Sequence, residues 1–445
     1  MYTGAMSAQT VDLIVTGRWV VPVEPEGAVL EHHAVVIDAG RIVAILPAAD
    51  APAQYAAREL VACDRHALIP GLVNAHTHAA MSLMRGYADD LPLMRWLQDY
   101  IWPAEQKWVS PEFVRDGTLL AAAEMLAGGT TCFGDMFFFP DDVARAAVAA
   151  GMRAVVGMIV IDFPSAYASD CDDYLRKGID FHDRYRDHPL VRTALAPHAP
   201  YTVTDEALGR IVTYAAELNV PVHMHVHETE AEVRESVAKI GARPLTRLER
   251  LGLLSPQLMA VHMTQLEPHE IAMLAAQGVH VLHCPESNMK LASGFCPVAR
   301  LSAAGVNVAL GTDGAASNND LDMFGEMRSA ALLAKAVAGD ASAVPAAAAL
   351  RMATLNGARA LGLEELLGSL VPGKAADLVA VDLGGIDTQP VYNPVSHLVY
   401  ATGRHQVTDV WVAGRPVLRG RALLTLDEID LAQRARQWQD RLAAR

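Results

Sequence analysis

Histidine side chains at a regular spacing are the first feature of this sequence that could do chemistry. His76 and His78 follow the apolar stretch 67–75 and are separated by one residue. Because side chains alternate between the two faces of an extended strand, an H-x-H pair points both imidazoles to the same side. Two imidazoles side by side can bind a divalent metal ion. Two packed or surface histidines would give the same spacing, so the pair alone leaves both interpretations open.

Further apolar stretches of the chain also end in histidine or aspartate. These positions are His198, His225, His262, His283 and Asp313. Three histidines and one aspartate form an ordinary nitrogen and oxygen ligand set for zinc and similar divalent ions. The sequence contains no H-E-x-x-H, G-x-S-x-G or P-loop motif that would indicate another hydrolytic centre. We therefore expect residues that are far apart in the sequence to converge on one metal site.

A repeated alternation of strands and helices has to position these residues. Eight short apolar strands, separated by Ala- and Leu-rich helical stretches, predict an α/β protein with a parallel (β/α)8 TIM-like barrel, in which the carboxyl ends of the strands share one face. An open doubly wound sheet would show the same alternation, but no strand is followed by G-x-G-x-x-G. The predicted strands are Ala67–Ala75, Thr130–Gly134, Ala154–Ile159, Leu190–Ala196, Val220–His225, Leu258–His262, Val279–His283 and Asn307–Thr312.

Both ends of the chain are rich in β-forming residues. Val and Ile recur with Gly and Pro punctuation in Asp12–Val23 and His33–Leu46, and again in Ala375–Leu383 and Val407–Leu418. This pattern predicts one small β-sandwich domain formed from both termini, followed by a C-terminal helix over Leu426–Leu442. The predicted division of the chain is 1–66 for the first part of this domain, 67–370 for the barrel and 371–445 for the second part.

Composition and charge exclude several classes of protein. The chain has 445 residues, of which 52% are hydrophobic, and a net charge of -15 from 36 basic and 51 acidic residues. This balance argues against a nucleic-acid partner. No apolar run approaches the roughly 18 residues of a membrane span. Met1–Gln9 lacks the basic and apolar regions of a secretory signal, and the five cysteines are scattered, so we expect a cytoplasmic protein.

Several longer stretches resemble the amidohydrolase superfamily. The similarity covers almost the whole chain and is most specific in PGLVNAHTH at 70–78, GYADDLPL at 86–93, HVHETEAEV at 225–233, HCPESNMKLASG at 283–294 and LGTDGAASN at 310–318. Within the superfamily, the chain is most similar to the 5′-methylthioadenosine/S-adenosylhomocysteine deaminases, which are related to the triazine chlorohydrolases. The resemblance also implies the barrel with its split β-sandwich.

The resemblance implies a set of metal ligands. Carried over position by position, these are His76, His78, His225 and Asp313. His225 is preferred to His223 and His227 because the family pattern places a glutamate three residues after the metal histidine, although His223 would face the same side of a strand and stays an alternative. No lysine ends the third or fourth predicted strand, where binuclear relatives carry a bridging carboxylated lysine. One divalent ion is therefore expected, zinc by default, with iron or manganese as alternatives.

The residue types suggest a division of labour in catalysis. Asp313 would accept the proton of the attacking water, Glu228 would protonate ring nitrogen N1 and later the leaving ammonia, and His262 would position the attacking oxygen. Glu228 and Asp313 would thereby also contact the substrate. Glu105 matches a family carboxylate that holds the ribose hydroxyls, and His198 is a second candidate substrate contact.

These expectations predict a metal-dependent deaminase of adenine nucleosides. The preferred substrate is 5′-methylthioadenosine, with 5′-methylthioinosine and ammonia as products. The alternatives are an S-adenosylhomocysteine or adenosine deaminase, or another ring aminohydrolase or chlorohydrolase of the guanine or triazine type. A metal-binding protein without catalysis is disfavoured because Glu228, His262 and Asp313 are all present.

One residue decides the predicted substrate preference. Met158 stands where relatives that accept S-adenosylhomocysteine carry an arginine near the end of the third strand. A methionine offers an apolar contact to a methylthio group and no partner for a carboxylate. The resemblance further implies a homo-oligomer, a dimer or a tetramer, that acts on a small nucleoside without a nucleic-acid or membrane partner.

Overall fold

The barrel is built from eight parallel strands. The computed structural model describes residues 8–443. The predicted absence of a secretory signal concerns Met1–Gln9, of which only the last two residues belong to the described part of the chain. The strands pair in chain order, each with the next. They are Leu72–Thr77, Thr130–Asp135, Arg153–Val160, Val191–Pro197, Val222–Val226, Leu258–His262, His280–His283 and Val308–Leu310.

Hydrogen bonds between the first and last strands close the sheet into a barrel. The backbone N–H of Asp313 donates to the carbonyl oxygen of His76 at 3.0 Å. The side-chain amide of Asn74 donates to Thr312 Oγ1 at 2.7 Å and accepts from the Thr312 N–H at 3.0 Å. The predicted (β/α)8 barrel is confirmed. The same contacts bring the first and last predicted metal ligands to one end of the barrel.

The second sheet combines strands from both ends of the chain. The long strand Tyr55–Pro70 pairs in parallel with Gln9–Val20 and antiparallel with Leu378–Asp382, which joins the N-terminal and C-terminal strands in one continuous sheet. The predicted β domain made from both termini is thus confirmed. Its strands are Gln9–Val20, Leu30–Asp38, Arg41–Pro47, Tyr55–Pro70, Leu378–Asp382, Val407–Val412, Arg415–Arg419 and Ala422–Leu423.

The first predicted barrel strand has to be corrected. Residues 67–70 continue the strand Tyr55–Pro70 of the terminal sheet, and the barrel begins only at Leu72. Gly71 separates the two strands, and the chain passes so close to Thr131 there that a β-carbon would lie 2.0 Å from its Oγ1. The change of sheet therefore falls at Gly71, whereas the predicted boundary between residues 66 and 67 would cut a strand. The boundary between residues 370 and 371 stays a prediction.

Helices surround the barrel. Several begin at a residue whose side chain accepts from the third backbone N–H of the helix, as Ser110, Thr204 and Thr229 do. No helix in residues 8–443 has the length and apolar character needed to span a bilayer. The α-helices are Ala51–Gln54, Leu93–Trp96, Trp102–Trp108, Pro111–Ala127, Pro140–Ala150, Cys171–Tyr185, Asp205–Leu218, Glu230–Ile240, Pro244–Arg250, Pro268–Gln277, Pro285–Lys290, Val298–Ala303, Met323–Ala338, Ala346–Met352, Leu355–Ala360, Pro394–Tyr400 and Glu428–Ala443, with a π-helix at Leu97–Ile101 and 3-10 helices at Ala79–Met84 and Arg404–Gln406.

The two faces of the barrel strands have different surroundings. Met158 pairs with Leu195 in the sheet and therefore shares its face. This face is turned towards the helices, because a β-carbon at Gly178 in helix Cys171–Tyr185 would lie 3.0 Å from Met158 Cβ. The opposite face carries buried small and aliphatic residues, among them Val155 and Ala194, which pack inside the barrel. Residues of this inner face reach the site when they lie at the carboxyl ends of the strands.

The C-terminal helix Glu428–Ala443 packs against the barrel. Trp438 is buried and its ring meets Phe113 edge to face, with ring centroids 5.2 Å apart. The Trp438 Nε1–H donates to Asp116 Oδ2 at 3.1 Å, and Arg434 binds the other oxygen at 3.1 Å. Both partners lie in helix Pro111–Ala127, so the end of the chain holds the helical layer next to the first barrel strand.

Candidate metal centre and active site

Four side-chain donor atoms meet at the carboxyl end of the barrel. His76 Nε2 lies 3.3 Å from His225 Nε2 and 3.4 Å from Asp313 Oδ1, and His78 Nε2 lies 3.3 Å from the same Asp313 oxygen. Tetrahedral ligands about 2.0–2.1 Å from a zinc ion are separated from each other by about 3.3–3.4 Å. The spacing and the chemistry of the donor set therefore fit a zinc-sized divalent ion.

The second nitrogen of each histidine is held by a hydrogen bond. Nδ1 of His78 donates to the carbonyl oxygen of Met136 at 2.5 Å, and Nδ1 of His225 donates to that of His198 at 2.8 Å. A carbonyl oxygen only accepts, so the proton of each ring lies on Nδ1 and the Nε2 lone pair is free for a metal. Burial, the largest effect, lowers the pKa of His76 to about 4, which favours its neutral, ligating form.

His223 lies behind His76 rather than among the four donor atoms. Its Nε2 is 2.9 Å from His76 Nδ1, so it can accept the proton that fixes the orientation of that ring. His223 and His225 share one face of their strand, but His225 lies two residues closer to the carboxyl end, where His76 Nε2 lies. The structure thus brings His225 into the cluster and gives His223 a supporting position, which the H-x-H-x-H pattern alone could not decide.

Two hydrogen bonds fix the carboxylate of Asp313. Oδ1 accepts from the N–H of Gly314 at 2.8 Å, and Oδ2 accepts from the hydroxyl of Ser287 at 2.7 Å. Asp313 has a φ of 61°, in the left-handed region, which turns the chain sharply after the last strand. The contact with Ser287 was not anticipated, although that residue lies in the stretch 283–294 that carries the family resemblance.

Glu228 and His262 lie beside the four donor atoms. Glu228 is buried, and its Oε2 is 3.8 Å from His262 Nε2. Nδ1 of His262 is 2.8 Å from the side-chain oxygen of Asn288, and its ring stacks on His225 with centroids 5.4 Å apart. Burial is the main cause that raises the pKa of Glu228 and thereby favours the protonated, proton-donating form of its carboxyl group.

A cavity opens in front of these residues. Its polar end is formed by the histidines and carboxylates just described. Its other walls are mostly apolar, and among the described residues that line it there is no lysine or arginine. The apolar wall is formed by Met81, Leu93, Trp96, Leu97, Ile101, Trp102, Met136, Phe137, Phe138, Ile159, Ile161, Phe163 and Leu291. A mostly apolar lining with a few converging polar groups is typical of a small-molecule site.

The two predicted substrate residues both line this cavity. Glu105 projects from helix Trp102–Trp108, and burial raises the pKa of its carboxyl group to about 8. His198 follows the fourth barrel strand and packs edge to face on His225, with ring centroids 4.9 Å apart. Burial lowers the pKa of His198 to about 3, so its ring is neutral. Both residues thus present uncharged polar groups to the free cavity near neutral pH.

The predicted role of Met158 is wrong. Its side chain is buried on the outer face of the third strand, against Gly178, and does not line the cavity. Because side chains alternate along a strand, the neighbouring Ile159 and, two residues further on, Ile161 face inwards and line the cavity. The aligned position was one residue away from the inward-facing one. The wall is nevertheless apolar at this place, as the Met158 argument required.

Two further buried histidines lie outside the predicted ligand set. His283, which also ends a strand, is buried, and neither of its ring nitrogens has a hydrogen-bond partner among the described residues. His227, to which His225 was preferred as a ligand, is buried in the loop before Glu228, where its Nε2 accepts from the N–H of Leu245 at 3.2 Å. Its φ of 55° makes it part of a tight turn.

Comparison with known proteins gives the class to which this chain belongs. The profile of the amidohydrolase family matches residues 67–417. The chain therefore belongs to the amidohydrolase family, in agreement with the resemblance seen in its motifs.

Individual relatives are similar along nearly their whole length. The 5-methylthioadenosine/S-adenosylhomocysteine deaminase of Teredinibacter turnerae is 51% identical over 436 residues, which cover 98% of this chain and 99% of the relative. The enzyme of the same name from Saccharophagus degradans is 51% identical over 433 residues, which cover 97% of both chains.

Solved structures show the same similarity. An adenosine deaminase from Xanthomonas campestris with bound zinc superimposes with a TM-score of 0.97 at 56% identity, covering 98% of this chain and 99% of that one. The zinc complex of the atrazine chlorohydrolase TrzN from Arthrobacter aurescens superimposes with a TM-score of 0.89 at 23% identity, covering 96% of this chain and 99% of that one. At this low identity, the similarity to TrzN shows a shared fold.

Proposed function

We propose that this protein is a metal-dependent hydrolase that deaminates adenine nucleosides, with 5′-methylthioadenosine as its preferred substrate. Water and 5′-methylthioadenosine would give 5′-methylthioinosine and ammonia. The observation that carries the proposal is the position of Glu228 and His262 beside a four-donor metal cluster, at the polar end of a largely apolar cavity. The names of the similar deaminases support the nucleoside class.

The proposed cofactor is one zinc ion bound by His76, His78, His225 and Asp313. When bound, such an ion acts as a Lewis acid and lowers the pKa of water from about 15.7 to about 7. Iron or manganese would accept the same ligands. The third and fourth barrel strands end in Val160 and Pro197, neither of which can bridge a second ion as a carboxylated lysine does.

In the proposed reaction, three side chains move or orient protons. The oxygen of water attacks C6 of the adenine ring, and the Asp313 carboxylate takes up the proton that this water loses. Glu228, whose pKa is raised by burial, gives its proton to N1, where negative charge would otherwise develop. His262 orients the attacking oxygen. Glu228 then takes up the remaining proton of the new C6 hydroxyl as the C6–O double bond forms, and passes it to the amine. The C6–N bond breaks, ammonia leaves, and the proton held by Asp313 returns to Glu228.

Glu105 and His198 are proposed to hold the nucleoside. Two carboxylate oxygens suit the two adjacent hydroxyls of ribose, each of which can donate a hydrogen bond. These donors would offset the burial that raises the pKa of the free Glu105 carboxyl group. His198 is neutral and lies against His225, where it can exchange hydrogen bonds with the ring of the base.

The walls of the cavity favour a methylthio group over a homocysteine tail. The tail of S-adenosylhomocysteine ends in a carboxylate and an ammonium group, and a buried carboxylate needs a cationic partner such as arginine. The residues that line the cavity in the described chain include no arginine or lysine, and the third strand contributes Ile159 and Ile161 instead. We therefore expect a higher kcat/KM for 5′-methylthioadenosine than for S-adenosylhomocysteine, with adenosine in between or close to 5′-methylthioadenosine.

An ammonia-release assay tests this function. The zinc-loaded protein is compared with the chelated protein on 5′-methylthioadenosine, adenosine, S-adenosylhomocysteine, guanine and a chlorotriazine. We expect zinc-dependent ammonia release that is fastest with 5′-methylthioadenosine. Absence of ammonia from all three nucleosides would overturn the function, and chloride release from the triazine would assign the chlorohydrolase alternative. An equal or higher kcat/KM for S-adenosylhomocysteine would overturn the proposed substrate preference.

The proposed setting of the enzyme is a cytoplasmic homo-oligomer, a dimer or a tetramer. The five cysteines are free, as expected in a reducing compartment. Several large apolar side chains on the surface, among them Ile386, Tyr392 and Ile429, are at least 79% exposed. Light scattering at several protein concentrations would give the oligomeric state, and a monomer throughout would contradict this part of the proposal.

A further inference from the structure

The turn that carries Glu228 is held by a second glutamate. Both oxygens of the Glu232 carboxylate accept hydrogen bonds from consecutive backbone N–H groups, Oε1 from His227 at 3.1 Å and Oε2 from Glu228 at 2.7 Å. These two N–H groups are the hydrogen-bond donors that the Glu232 carboxylate has within residues 8–443. The carboxylate is therefore bound to the backbone of the turn, with one oxygen on each of two consecutive N–H groups.

This arrangement differs from the ordinary cap of a helix. Thr229 is the N-cap of helix Glu230–Ile240, and its hydroxyl accepts from the Glu232 N–H at 3.2 Å. In a capping box the glutamate at this position would reach back to the N–H of the N-cap residue itself. Glu232 instead reaches past Thr229 to the two preceding residues. A helix cap alone would not need these longer contacts.

The conformation of His227 explains why two N–H groups converge on one carboxylate. Its φ of 55° lies in the left-handed region, which a residue with a β-carbon adopts at a cost. Successive N–H groups around such a residue form a concave nest that binds an anion. The Glu232 carboxylate fills this nest, and Thr264 holds the other side of the turn by donating from its hydroxyl to the Glu228 carbonyl oxygen at 2.6 Å.

We propose that Glu232 is a positioning residue, which aims the Glu228 carboxyl group at the reacting ring by holding the strained turn at His227. The inference rests on the proposed role of Glu228 as the proton carrier. A site that moves protons needs its groups held to within about 0.5 Å. Without these acceptor oxygens, the two N–H groups of the nest lose their partners and the turn relaxes.

Kinetics of Glu232→Gln test the proposal, with Glu230→Gln as the matched control. Both residues lie in the first turn of the same helix, but the Glu230 side chain is 85% exposed and does not contact the nest. In Glu232→Gln one of the two accepting oxygens is replaced by an NH2 group, which cannot accept from a backbone N–H. We expect kcat to fall by about tenfold or more, up to the roughly 10²–10⁴-fold contribution of a general acid–base group, with KM and bound zinc unchanged. Glu230→Gln should behave like the parent.

A double variant separates positioning from a general loss of structure. Glu228→Gln by itself should lower kcat by about 10²–10⁴-fold while zinc and KM are retained. If Glu232 acts through Glu228, adding Glu232→Gln to Glu228→Gln should cost less than about twofold more. An equal loss in both backgrounds, or a kcat of Glu232→Gln within twofold of the parent, would overturn the proposal. Should Glu232→Gln not fold, Glu232→Asp, which reaches one N–H at most, takes its place in the same comparison.

Crystal structures keep this test independent of the proposed function. If the parent releases no ammonia from any adenine nucleoside, the function fails, and Glu232 is judged by geometry alone. We expect the Glu228 Oε2 to His262 Nε2 separation of 3.8 Å to lengthen by more than about 1 Å in Glu232→Gln but not in Glu230→Gln. A Glu228 carboxyl group that superimposes on that of the parent would overturn the positioning role.

Discussion

In each of the three proposed histidine ligands, one ring nitrogen is oriented towards the metal site by the hydrogen bond that the other ring nitrogen makes. The donor atoms of His78 and His225 are available because the opposite ring nitrogen is held by a carbonyl oxygen. His76 obtains the same orientation from another imidazole, that of His223. Partners of this kind fix the tautomer of a metal-bound histidine and typically change metal affinity by about 10–100-fold. The two neighbouring histidines of one strand should therefore respond differently to truncation.

The first prediction compares His225→Ala with His223→Ala. His225→Ala removes a proposed ligand, so the purified protein should lose its zinc and its activity while keeping its fold. His223→Ala removes only a support of His76, so zinc should still bind, about 10–100-fold more weakly. Elemental analysis after gel filtration, with circular dichroism as the control for folding, measures both. A full zinc content in His225→Ala together with loss from His223→Ala would reverse the assignment.

The second prediction concerns the pH dependence of Glu105. Burial raises the pKa of its carboxyl group from 4.5 to about 8 in the folded chain. The folded state therefore binds this proton more tightly than the unfolded chain does. Its contribution to stability is complete below pH 4.5 and is lost as the pH rises towards 8. Glu105→Gln, which cannot ionise, should raise the Tm of the substrate-free protein at pH 9 relative to the parent.

Kinetics of the same Glu105→Gln variant test whether Glu105 contacts the ribose hydroxyls of the substrate. Glu105→Gln should have the Tm of the parent at pH 4, where both side chains are neutral. Its KM for 5′-methylthioadenosine should rise by about tenfold or more, because hydrogen bonds to a charged group contribute about 1.5–3 kcal/mol. An analogue without the 2′ and 3′ hydroxyls should show little difference between the two proteins. Equal effects on both nucleosides would contradict a contact between Glu105 and the diol.

At the scale of elements, the alternation of strands and helices predicted the barrel, but the sequence did not show which face of a buried strand points into it. Strand Leu258–His262 has the predicted bounds, and the other barrel strands differ by a few residues at their ends. The start of the first strand was misplaced because residues 67–75 form one apolar run, and only the tight packing at Gly71 divides it between two sheets. Met158 was misassigned because an inward-facing and an outward-facing residue in a buried strand are both apolar.

Other parts of the site could not be predicted from the sequence for a similar reason. The left-handed turn at His227 and the hydrogen bond from Ser287 to Asp313 depend on tertiary contacts between loops. A loop with short polar residues has the same amino-acid composition whether or not its side chains face a site. The metal histidines could be proposed because their spacing has a direct geometric meaning, two residues apart on one strand.

The third prediction uses the two faces of the third barrel strand. Ile159→Ala removes an apolar wall of the cavity and should raise the KM for 5′-methylthioadenosine, with a smaller effect on adenosine, which lacks the methylthio group. Met158→Ala opens a void between strand and helix and should lower the free energy of unfolding by about 2–5 kcal/mol without changing KM. Steady-state kinetics and urea unfolding separate the two. A changed KM in Met158→Ala alone would restore the original assignment.

At the scale of the whole molecule, a buried ion pair joins the barrel to the terminal sheet. Arg153 begins the third barrel strand, and Asp377 lies one residue before the terminal strand Leu378–Asp382. Their two hydrogen bonds measure 2.9 and 3.1 Å, and the side chains are 7% and 4% exposed. Asp377 Oδ1 also accepts from the N–H of Ala413 at 2.8 Å, which links a third strand end to the pair. The contact lies at the amino end of the barrel strands, away from the catalytic face.

The fourth prediction follows from the burial of this pair. Asp377→Ala leaves the Arg153 guanidinium buried without a counter-ion, and breaking such a pair typically costs about 3–5 kcal/mol of folding free energy. Asp99→Ala is the control, because the Arg95–Asp99 pair lies on an exposed helix face with side chains 66% and 53% exposed and should contribute about 0–1 kcal/mol. Urea unfolding followed by circular dichroism measures both variants.

Because the pair lies at the opposite end of the barrel from the metal cluster, folded Asp377→Ala should keep the KM of the parent. An unfolding free energy within 1 kcal/mol of the parent would mean that the terminal sheet is held to the barrel by apolar packing alone.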